Sequence, residues 1–580
     1  MNTATKKFIS WYLLSLGQIN RARFFLCLLI IGACFEAIGV AAVVPLVNIY
    51  SGDDLQSYIN LFQNINIDLN SFDKAYLQLL LLGMLSAVIV LSIVFRLISN
   101  YILLKFGLER EFYLSTLIFK KLIHKNLSWH NNNSMTEVKR AIISEVNTTV
   151  NAGLISYLTI FSQTCVACLI FCILLIYNPT VAISAILISI VCYMGLYFSI
   201  KDKLHHNGRL RFSSNDERFR VIDNTFTSPK VVLANQLENK MTQEFSSGAR
   251  TYSHSQVVVQ VLKQLPRYAF EALTFAILLS SLAYGTYVGL DPNNFAPTLL
   301  VFVFAWYRAL PAVQQIYSSK TQFDASKPSI QMIYQFLEDN FNEKILNDST
   351  DNKITFNESV SFKNVYFCYE NKDLIFSDFS CIIQKGEMVG ICGESGSGKT
   401  TFVDLICGLL TPSNGKIFAD DKEINHQNRS MWLKNISYVS QFPLIFNDSI
   451  IENIVLNQYD KSKIDSSRLE KCWRAACLDE FLDYDSVLND DRRLIDNGSQ
   501  LSGGQRQRIS LARALYREAS IIILDEATNA LDIELQNKVL ESLRLFSKTI
   551  TIIIISHQSE VLDFCSQKIY IKSLANEGKK

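Results

Sequence analysis

An excess of charge of either sign is almost absent from this sequence of 580 residues. Its 55 Lys and Arg residues are balanced by 54 Asp and Glu residues, which leaves a formal net charge of +1. A surface that binds nucleic acid needs clustered, excess Lys and Arg to neutralise phosphates. The charge balance therefore argues against a nucleic-acid partner. Hydrophobic residues make up 49% of the chain, which indicates a membrane part beside a soluble part.

The sequence also has few signs of a leader peptide or of a metal site. The first apolar run is too long for the core of a signal peptide and has no small-residue cleavage site, so we expect no cleavable signal. Cys165, Cys168 and Cys172 have ligand-like spacing, but they share one face of an apolar helix with no His nearby. We interpret them as helix-packing residues and expect free thiols throughout the chain.

Long apolar runs are what the sequence does contain, and six of them can each cross a bilayer, which takes about 20 residues. They cover residues 24–48, 75–104, 152–177, 180–200, 266–288 and 298–320. The two long connectors between them, Lys105–Asn151 and Lys201–Gln264, are rich in Lys and Arg, whereas the other loops are short or acidic. The positive-inside rule therefore predicts a cytoplasmic N-terminus, and it places the region after the last span in the cytoplasm too.

A glycine-rich segment, Gly393–Thr400, has the pattern G-x-x-x-x-G-K-[ST]. The apolar run Met388–Cys392 before it predicts a buried strand, and the spacing of Thr401–Leu410 predicts a helix. In that context the pattern predicts a loop whose backbone N–H groups and helix N-terminus bind phosphates. We expect Lys399 to reach the β- and γ-phosphates of a nucleotide. The predicted nucleotide-binding residues of this segment are Gly393, Glu394, Ser395, Gly396, Ser397, Gly398, Lys399, Thr400 and Thr401.

A second segment that is predicted to act on the bound nucleotide lies near residue 525. The aliphatic run Ile521–Leu524 predicts a strand that ends in Asp525 and Glu526. Asp525 and the Thr400 hydroxyl are predicted to bind Mg²⁺, and Glu526 is predicted to lie beside the attacking water.

These segments, with Leu501–Gln505 and Ser556-His557 in this order, resemble the nucleotide-binding domain of ABC transporters. The resemblance implies bound ATP and Mg²⁺ and an ATP hydrolase coupled to transport. It implies that Tyr369 stacks on adenine and that Gln441 senses the γ-phosphate, binds Mg²⁺ and contacts the membrane domain. It also implies that His557 acts as a γ-phosphate switch.

The same resemblance implies that a second chain completes each nucleotide site. Ser502, Gly503, Gly504 and Gln505 are the implied residues that bind the ATP of the opposing subunit, and Asp532 lies in the loop after the second carboxylate. No internal repeat supplies a second half, so six helices followed by one ATPase domain resemble an exporter-type half transporter. We expect a homodimer. The segment Ser502–Gln505, which we call the signature, and Glu526 are both intact, so two identical chains would form two competent sites.

The fold class predicted from this organisation is an α-helical membrane domain followed by an α/β P-loop ATPase domain. The predicted boundaries are residues 1–320 for the membrane domain with six helices, 321–352 for a linker and 353–580 for the nucleotide-binding domain.

Charged side chains inside membrane helices cost about 2.5–3.5 kcal/mol at the helix centre, so each is a candidate for function. The predicted spans contain Glu36, Arg96, Arg267, Glu271 and Arg308. Arg267 and Glu271 are four residues apart and can pair. Each arginine can instead extend to the membrane interface. Taken as a group, the three arginines predict a cavity for an anion such as pyrophosphate.

The segments around these arginines resemble the bacterial lipid-linked oligosaccharide flippases of N-glycosylation. The matching segments are Val94–Arg96, Leu265–Glu271, Trp306–Pro311, Val44–Val47 and Ile333–Leu337. The resemblance implies that the arginines hold the pyrophosphate of a polyprenyl-linked glycan and that an external helix meets the polyprenyl tail. It predicts an ATP-driven flippase or exporter of the bacterial inner membrane, in contact with membrane lipid. Export of a peptide, drug or other amphipathic molecule is the alternative.

Two features leave alternatives open. Ser57–Ile65 has apolar residues at helical spacing, which suits either a helix on the outer leaflet or a loop helix that packs on its own membrane domain. The stretch Leu494–Gly498 departs from the Thr-x-Val-Gly-Glu-like segment of exporters and keeps only Asp496 and a glycine. Whether Asp496 serves in domain coupling stays open.

Overall fold

The structure is a computed structural model that divides into two compact units. The first unit comprises Met1–Lys125 and His130–Phe341, and the second comprises Asn126–Trp129 and Asn342–Lys580. The structure describes residues 19–41, 74–177, 179–288, 310–338, 354–369, 374–456, 464–488, 492–495 and 498–572. Arg308, Asp496 and the predicted external helix Ser57–Ile65 lie outside these described residues.

The part of the chain before residue 339 is helical wherever the structure describes it as regular. Residues 310–325 are also helical. The helices with printed bounds are α1 (Ile19–Ala41), α2 (Lys74–Ile123), α3 (Leu127–Asn132), α4 (Met135–Arg140), α5 (Val146–Thr148), α6 (Ser156–Tyr177), α7 (Pro179–Thr227), α8 (Pro229–Ala234), α9 (Glu238–Val288) and α10 (Lys327–Glu338).

The described part of each predicted membrane span lies in a helix. Spans one to five fall within α1, α2, the segment ending in α6, α7 and α9, and the described end of the sixth lies in the helix at 310–325. Among the described residues, two helices are long and apolar enough to cross a membrane by length and composition, Leu82–Ile123 and Met135–Ile176. Each of these helices has 42 residues, which is longer than a bilayer requires.

The second of these helices contains two π-helical turns, Ala141–Glu145 and Thr149–Ile155. The last residue of α4, directly before these turns, is Arg140, whose side chain is buried and whose Nη1 is 3.2 Å from Asp216 Oδ1 of α7. The same guanidinium donates to the Phe212 carbonyl at 3.3 Å. A buried arginine needs such partners because an unpaired buried charge is costly. The contacts therefore hold the irregular part of this helix against α7.

Helix α10 lies in the range that was predicted to be a linker, and it belongs to the first unit. Its buried residues include Ile330, Ile333 and Leu337, which recur at helical spacing. Gly153 lies beneath it: a Cβ there would be 3.1 Å from Ile330 Cδ1. Lys121 Nζ donates to the Leu337 carbonyl at 3.0 Å. The predicted linker, residues 321–352, therefore includes a packed helix of the first unit.

The second unit contains two sheets, as an α/β ATPase core requires. One is antiparallel with strand order β2-β1-β4-β5, and the other is parallel with order β6-β7-β8-β3-β9. The strands are β1 (Ser359–Cys368), β2 (Leu374–Gln384), β3 (Met388–Cys392), β4 (Asn414–Ala419), β5 (Lys422–Glu423), β6 (Ile436–Val439), β7 (Ile521–Asp525), β8 (Thr551–Ile555) and β9 (Gln567–Tyr570).

Short helices join and cover these strands. They are α11 (Lys399–Ile406), α12 (Arg429–Leu433), α13 (Ile450–Val455), α14 (Ser466–Ala475), a 3₁₀ turn (Leu478–Glu480), α15 (Tyr484–Leu488), α16 (Gly503–Tyr516), α17 (Ile533–Phe546) and α18 (Ser559–Leu562). Strands β3 and β8 are buried at every position, as expected for parallel strands covered on both faces. The core therefore lies on both sides of the parallel sheet.

Helix α17 offers a direct test of this core. Leu543 is fully buried, whereas Leu545, two residues later on the same helix, is 70% exposed. We expect Leu543→Ala to lower the free energy of unfolding by about 2–5 kcal/mol, because it deletes buried atoms and leaves a cavity. Leu545→Ala is the matched control and should change it by no more than about 0.5 kcal/mol. Denaturant unfolding of the purified chain measures both, and equal effects would contradict this packing.

Candidate functional site

The glycine-rich loop lies between β3 and α11, as the sequence predicts. Gly398, with φ +104°, precedes the first residue of α11, and Gly396 has φ +79°. A side chain is disfavoured at such angles because its Cβ meets the backbone. At Gly393 the limit is space, since a Cβ there would be 2.6 Å from the Ile571 carbonyl oxygen and 2.5 Å from Ser397 Oγ. Space therefore requires glycine at Gly393, and the backbone angle favours glycine at Gly396 and Gly398.

Lys399 lies across this loop. Its Nζ donates to the carbonyls of Gly393 at 2.9 Å and Glu394 at 2.8 Å. Burial lowers the pKa of Lys399, and the nearby charges of Glu526 and Asp525 act in the opposite direction. The ammonium group is thus held at the loop by backbone oxygens that a phosphate can replace.

Asp525 is the last residue of β7, and its carboxylate is held from the neighbouring strand. Tyr438 of β6 donates its hydroxyl proton to Asp525 Oδ2 at 2.7 Å. Burial raises the pKa of Asp525, as does the adjacent Glu526, while the bond from Tyr438 and the charge of Lys399 lower it. Burial and the tyrosine therefore act on this pKa in opposite directions.

The carboxylate of Glu526 is contacted by three side chains. Its Oε2 accepts hydrogen bonds from Gln441 Nε2 at 2.8 Å and Asn529 Nδ2 at 3.0 Å. His557 Nε2 lies 3.2 Å from its Oε1. The backbone of Glu526 has φ +50° and donates its N–H to the Ile555 carbonyl at 3.1 Å. The side chains of three separate segments therefore converge on one carboxylate.

The order of the parallel sheet explains this convergence. The segments that carry Gln441, Glu526 and His557 follow β6, β7 and β8, which are consecutive neighbours in the sheet. The glycine-rich loop follows β3, which pairs with β8. Because parallel strands present their carboxyl ends at one edge, ligands of such sheets bind there.

The predicted nucleotide-binding residues outside this edge fall into two places. Tyr369 lies just after β1, and its hydroxyl is 3.3 Å from Thr401 Oγ1 of α11. Its ring is half-buried and packs edge-on against Phe367. Tyr369 is therefore brought beside the glycine-rich loop.

The signature segment forms the start of helix α16. Ser502 caps it, since its Oγ accepts from Gln505 N at 3.2 Å while Gln505 Oε1 accepts from Ser502 N at 2.8 Å. Gly504 packs closely on the next loop, where a Cβ would be 2.9 Å from the Ala530 carbonyl oxygen. Ser502 and Gly503 are exposed. Asp532 caps α17 by accepting from Leu535 N at 2.9 Å.

The residues present fit a magnesium nucleotide. Ser397 Oγ is buried and has no hydrogen-bond partner among the described residues, which leaves a donor in the loop for a phosphate oxygen. Thr400, Asp525 and Gln441 offer a hydroxyl, a carboxylate and an amide oxygen, and Mg²⁺ prefers oxygen ligands. The donor set therefore matches both phosphates and the metal.

In the membrane unit, each predicted cavity arginine that the structure describes lies beside a carboxylate. Arg96 Nη1 is 3.4 Å from Glu36 Oε1, and Arg267 Nε is 2.9 Å from Glu271 Oε1. The Arg267–Glu271 pair is the one that the spacing of the sequence predicted. Arg96 contacts another helix, which the sequence pattern did not indicate.

Sequence reasoning missed two residues of the ATPase site. Tyr438 was not among the candidates, although a tyrosine near the end of a strand-like run, three positions before Gln441, was a signal. Asn529 follows Glu526 by three residues, the spacing of a turn, and could have been found on that basis. Both hold a predicted carboxylate, at Asp525 and at Glu526.

Two family models match the chain. The model described as ABC transporter transmembrane region matches residues 24–305, and the model described as ABC transporter matches residues 376–529. The first covers the first five predicted spans and the start of the sixth, and the second covers both the glycine-rich loop and the paired carboxylates.

Curated relatives and a solved structure agree with these matches. An ATP-dependent lipid A-core flippase of Ralstonia nicotianae is 26% identical over 80% of this chain and 77% of its own length. The alpha-hemolysin translocation ATP-binding protein HlyB of Escherichia coli is 25% identical over 82% of this chain and 66% of its own length. The structure of a bacterial Atm1-family ABC exporter with ATP bound has a TM-score of 0.76 at 18% identity, covering 97% of this chain and 95% of that one. At 18% identity, this last similarity shows a shared fold.

Two glycines of the loop test its geometry as a matched pair. Gly398→Ala should abolish nucleotide binding, because its Cβ would meet Ile375 Cγ2 at 2.6 Å in a backbone with φ +104°. At Gly396, with φ +79°, a Cβ has nothing within 4 Å, so alanine adds only backbone strain of about 1–2 kcal/mol. Equilibrium binding of a fluorescent ATP analogue compares them. Equal losses in the two variants would contradict the steric account.

Proposed function

This chain belongs to the ABC transporters, and we propose that it flips or exports a polyprenyl-pyrophosphate-linked oligosaccharide across the bacterial inner membrane. It combines a helical membrane domain and an ABC ATPase domain in one polypeptide, and it couples ATP hydrolysis to transport. The proposal adds the cargo and the membrane to this shared activity. It also assigns residues 1–320 to the membrane domain and 353–580 to the ATPase domain.

The proposed assembly is a homodimer with its ATPase domains in the cytoplasm. Half transporters of this architecture carry one signature and one phosphate loop per chain, so two chains are needed for two sites. The Ser502–Gln505 segment, in which Ser502 and Gly503 are exposed, would bind the nucleotide held by the Gly393–Thr401 loop of the second copy. The capping box that orders the start of α16 supports this role, since it leaves the exposed glycine backbone accessible.

In the proposed mechanism, Lys399 exchanges its bonds to the Gly393 and Glu394 carbonyls for the β- and γ-phosphates. Glu526 orients the attacking water and accepts its proton. Gln441 and His557 hold opposite oxygens of Glu526, which fixes the carboxylate plane and links it to the loop after β6 and the end of β8. Thr400, Asp525 and Gln441 would hold Mg²⁺, which would supply positive charge to neutralise the transferring phosphoryl group.

Features of the membrane unit support a pyrophosphate-linked lipid as the cargo. Arg96 lines a polar cavity, and the segments around Arg96, Arg267 and Arg308 resemble those of the lipid-linked oligosaccharide flippases. Guanidinium groups bind phosphate oxygens in a bidentate manner. A relative named as a lipid A-core flippase is consistent with a lipid cargo.

Export of a peptide, drug or other amphipathic molecule is the competing function. Two observations favour it: a relative is named for alpha-hemolysin translocation, and the described cavity arginines already have carboxylate partners. Such pairing lowers the net positive charge that an anion would meet. The two functions differ in whether a diphosphate lipid stimulates hydrolysis.

Replacing the proposed catalytic carboxylate tests the ATPase mechanism. Glu526→Gln should abolish steady-state hydrolysis while ATP binding remains, because the amide cannot accept a proton from the attacking water. Phosphate release and ATP-analogue binding by the purified protein measure the two effects. Asp532→Asn, at the nearby cap of α17, is the control and should retain hydrolysis. Normal turnover in Glu526→Gln would refute the assignment.

The cargo is tested in proteoliposomes. We expect polyprenyl-diphosphate glycans to stimulate ATP hydrolysis and to be flipped, and we expect Arg96→Ala, Arg267→Ala and Arg308→Ala to lose that stimulation. Arg250→Ala, an exposed arginine on the same helix as Arg267, is the matched control. Hydrolysis that ignores these lipids in every variant would favour the competing export function.

A further inference from the structure

A polar cavity of about 410 Å³ lies among the membrane helices of the first unit. Helices α1, α2 and α6 and the helix at 310–325 contribute its walls. Its polar lining residues are Glu36, Arg96, Ser99, Asn100, Thr159, Ser162, Gln163 and Gln315. A cavity of mixed hydroxyl, amide and charged groups within apolar helices is a site for a polar group rather than a packing defect. Among the described residues, Arg267 does not line it.

The packing of α1 on α2 fixes where the two charges meet. Phe25 stacks on Phe106 with ring centroids 4.4 Å apart, and Phe35 stacks on Phe95 at 3.9 Å, so the helices run antiparallel. Between these ring pairs the helices lie close together at Gly32, where a Cβ would be 2.9 Å from Ser99 Oγ. About one helical turn away from this contact, Glu36 of α1 and Arg96 of α2 meet.

The ion pair itself is loose and asymmetric. Its N–O distance of 3.4 Å is longer than the 2.7–2.9 Å of a strong charge-assisted hydrogen bond. The Glu36 side chain is 9% exposed, whereas that of Arg96 is 44% exposed. The carboxylate is therefore fixed in the cavity wall, while the guanidinium has room to turn toward another anion.

We propose that Glu36 is an exchangeable counter-ion for Arg96 in cargo transport. The diphosphate of the cargo takes the guanidinium from Glu36 as it binds, and Glu36 takes it back as the cargo leaves. This inference rests on the proposed function and deepens it, since it names what opposes binding at the same site.

The exchange has a thermodynamic consequence. Only the fraction of molecules in which Arg96 has left Glu36 can bind the diphosphate, so the apparent affinity is reduced by that fraction. The buried carboxylate that is left unpaired favours re-formation of the ion pair and hence release of the cargo. Glu36 thus weakens the binding of the diphosphate and speeds the release of the cargo.

The variant that isolates this effect is Glu36→Gln, which keeps the shape of the side chain and removes its charge. It should bind a polyprenyl diphosphate about fivefold or more tightly, the lower end of typical coupling between linked groups. The maximal stimulated rate of ATP hydrolysis should fall at the same time, because release slows. Arg96→Gln should lose diphosphate binding, and the double variant should behave as Arg96→Gln does.

The experiment uses the full chain in nanodiscs of zwitterionic phosphatidylcholine, so that no anionic lipid competes. Equilibrium binding of geranylgeranyl diphosphate is measured for wild type and the three variants, with geranylgeraniol as the probe that lacks the diphosphate. Thermal unfolding shows that each variant is folded. Glu36→Asp is added as a second variant: its shorter side chain loosens the pair, and its affinity should lie between those of wild type and Glu36→Gln.

Each result decides a different claim. Tighter binding in Glu36→Gln that disappears in the double variant supports the counter-ion exchange. Unchanged affinity in Glu36→Gln and Glu36→Asp, with binding lost in Arg96→Gln, overturns the exchange and leaves the proposed diphosphate site standing. Equal binding of geranylgeraniol and geranylgeranyl diphosphate to wild type overturns the proposed cargo chemistry itself.

Discussion

The carboxylate of Glu526 is the point on which the ATPase site depends. Gln441, Asn529 and His557 all contact it, and each comes from a different turn or strand end. Contacts of this kind require the neighbouring order β6-β7-β8, because a crossover elsewhere in the sheet would separate the three segments. The sheet thus supplies the positioning on which hydrolysis relies.

A second constraint acts in the membrane unit, where water is scarce and an isolated charge is expensive. Glu36 and Arg96 lie on different helices and meet because Gly32 lets α1 approach α2. Outside the predicted spans, the buried Arg140 is likewise paired with Asp216 and with the Phe212 carbonyl. Charged groups in this unit are therefore as much a matter of helix packing as of composition.

The phosphate loop, the paired carboxylates and the order of domains could be predicted from sequence because each depends on neighbouring residues. The glycines at 393, 396 and 398 indicate the local backbone conformation of the phosphate loop, and the aliphatic run before Asp525 indicates a buried strand. Helix α10 was missed as part of the first unit because its apolar residues, such as Ile330 and Ile333, sit in a segment flanked by polar residues. The partner of Arg96 was missed because sixty residues separate it from Glu36, and no spacing rule relates positions on different helices.

The sequence by itself determined the class of fold, the ATPase chemistry and the membrane location of the first half of the chain. Those properties follow from local patterns: glycine where φ must be positive, apolar runs of bilayer length, and carboxylates at the end of a strand. Only the tertiary structure decided which side chains hold those carboxylates and which charges neutralise the arginines. The physical reason is that hydrogen bonds and ion pairs act over a few ångströms in space, and only chain packing brings Tyr438 to Asp525 or Glu36 to Arg96.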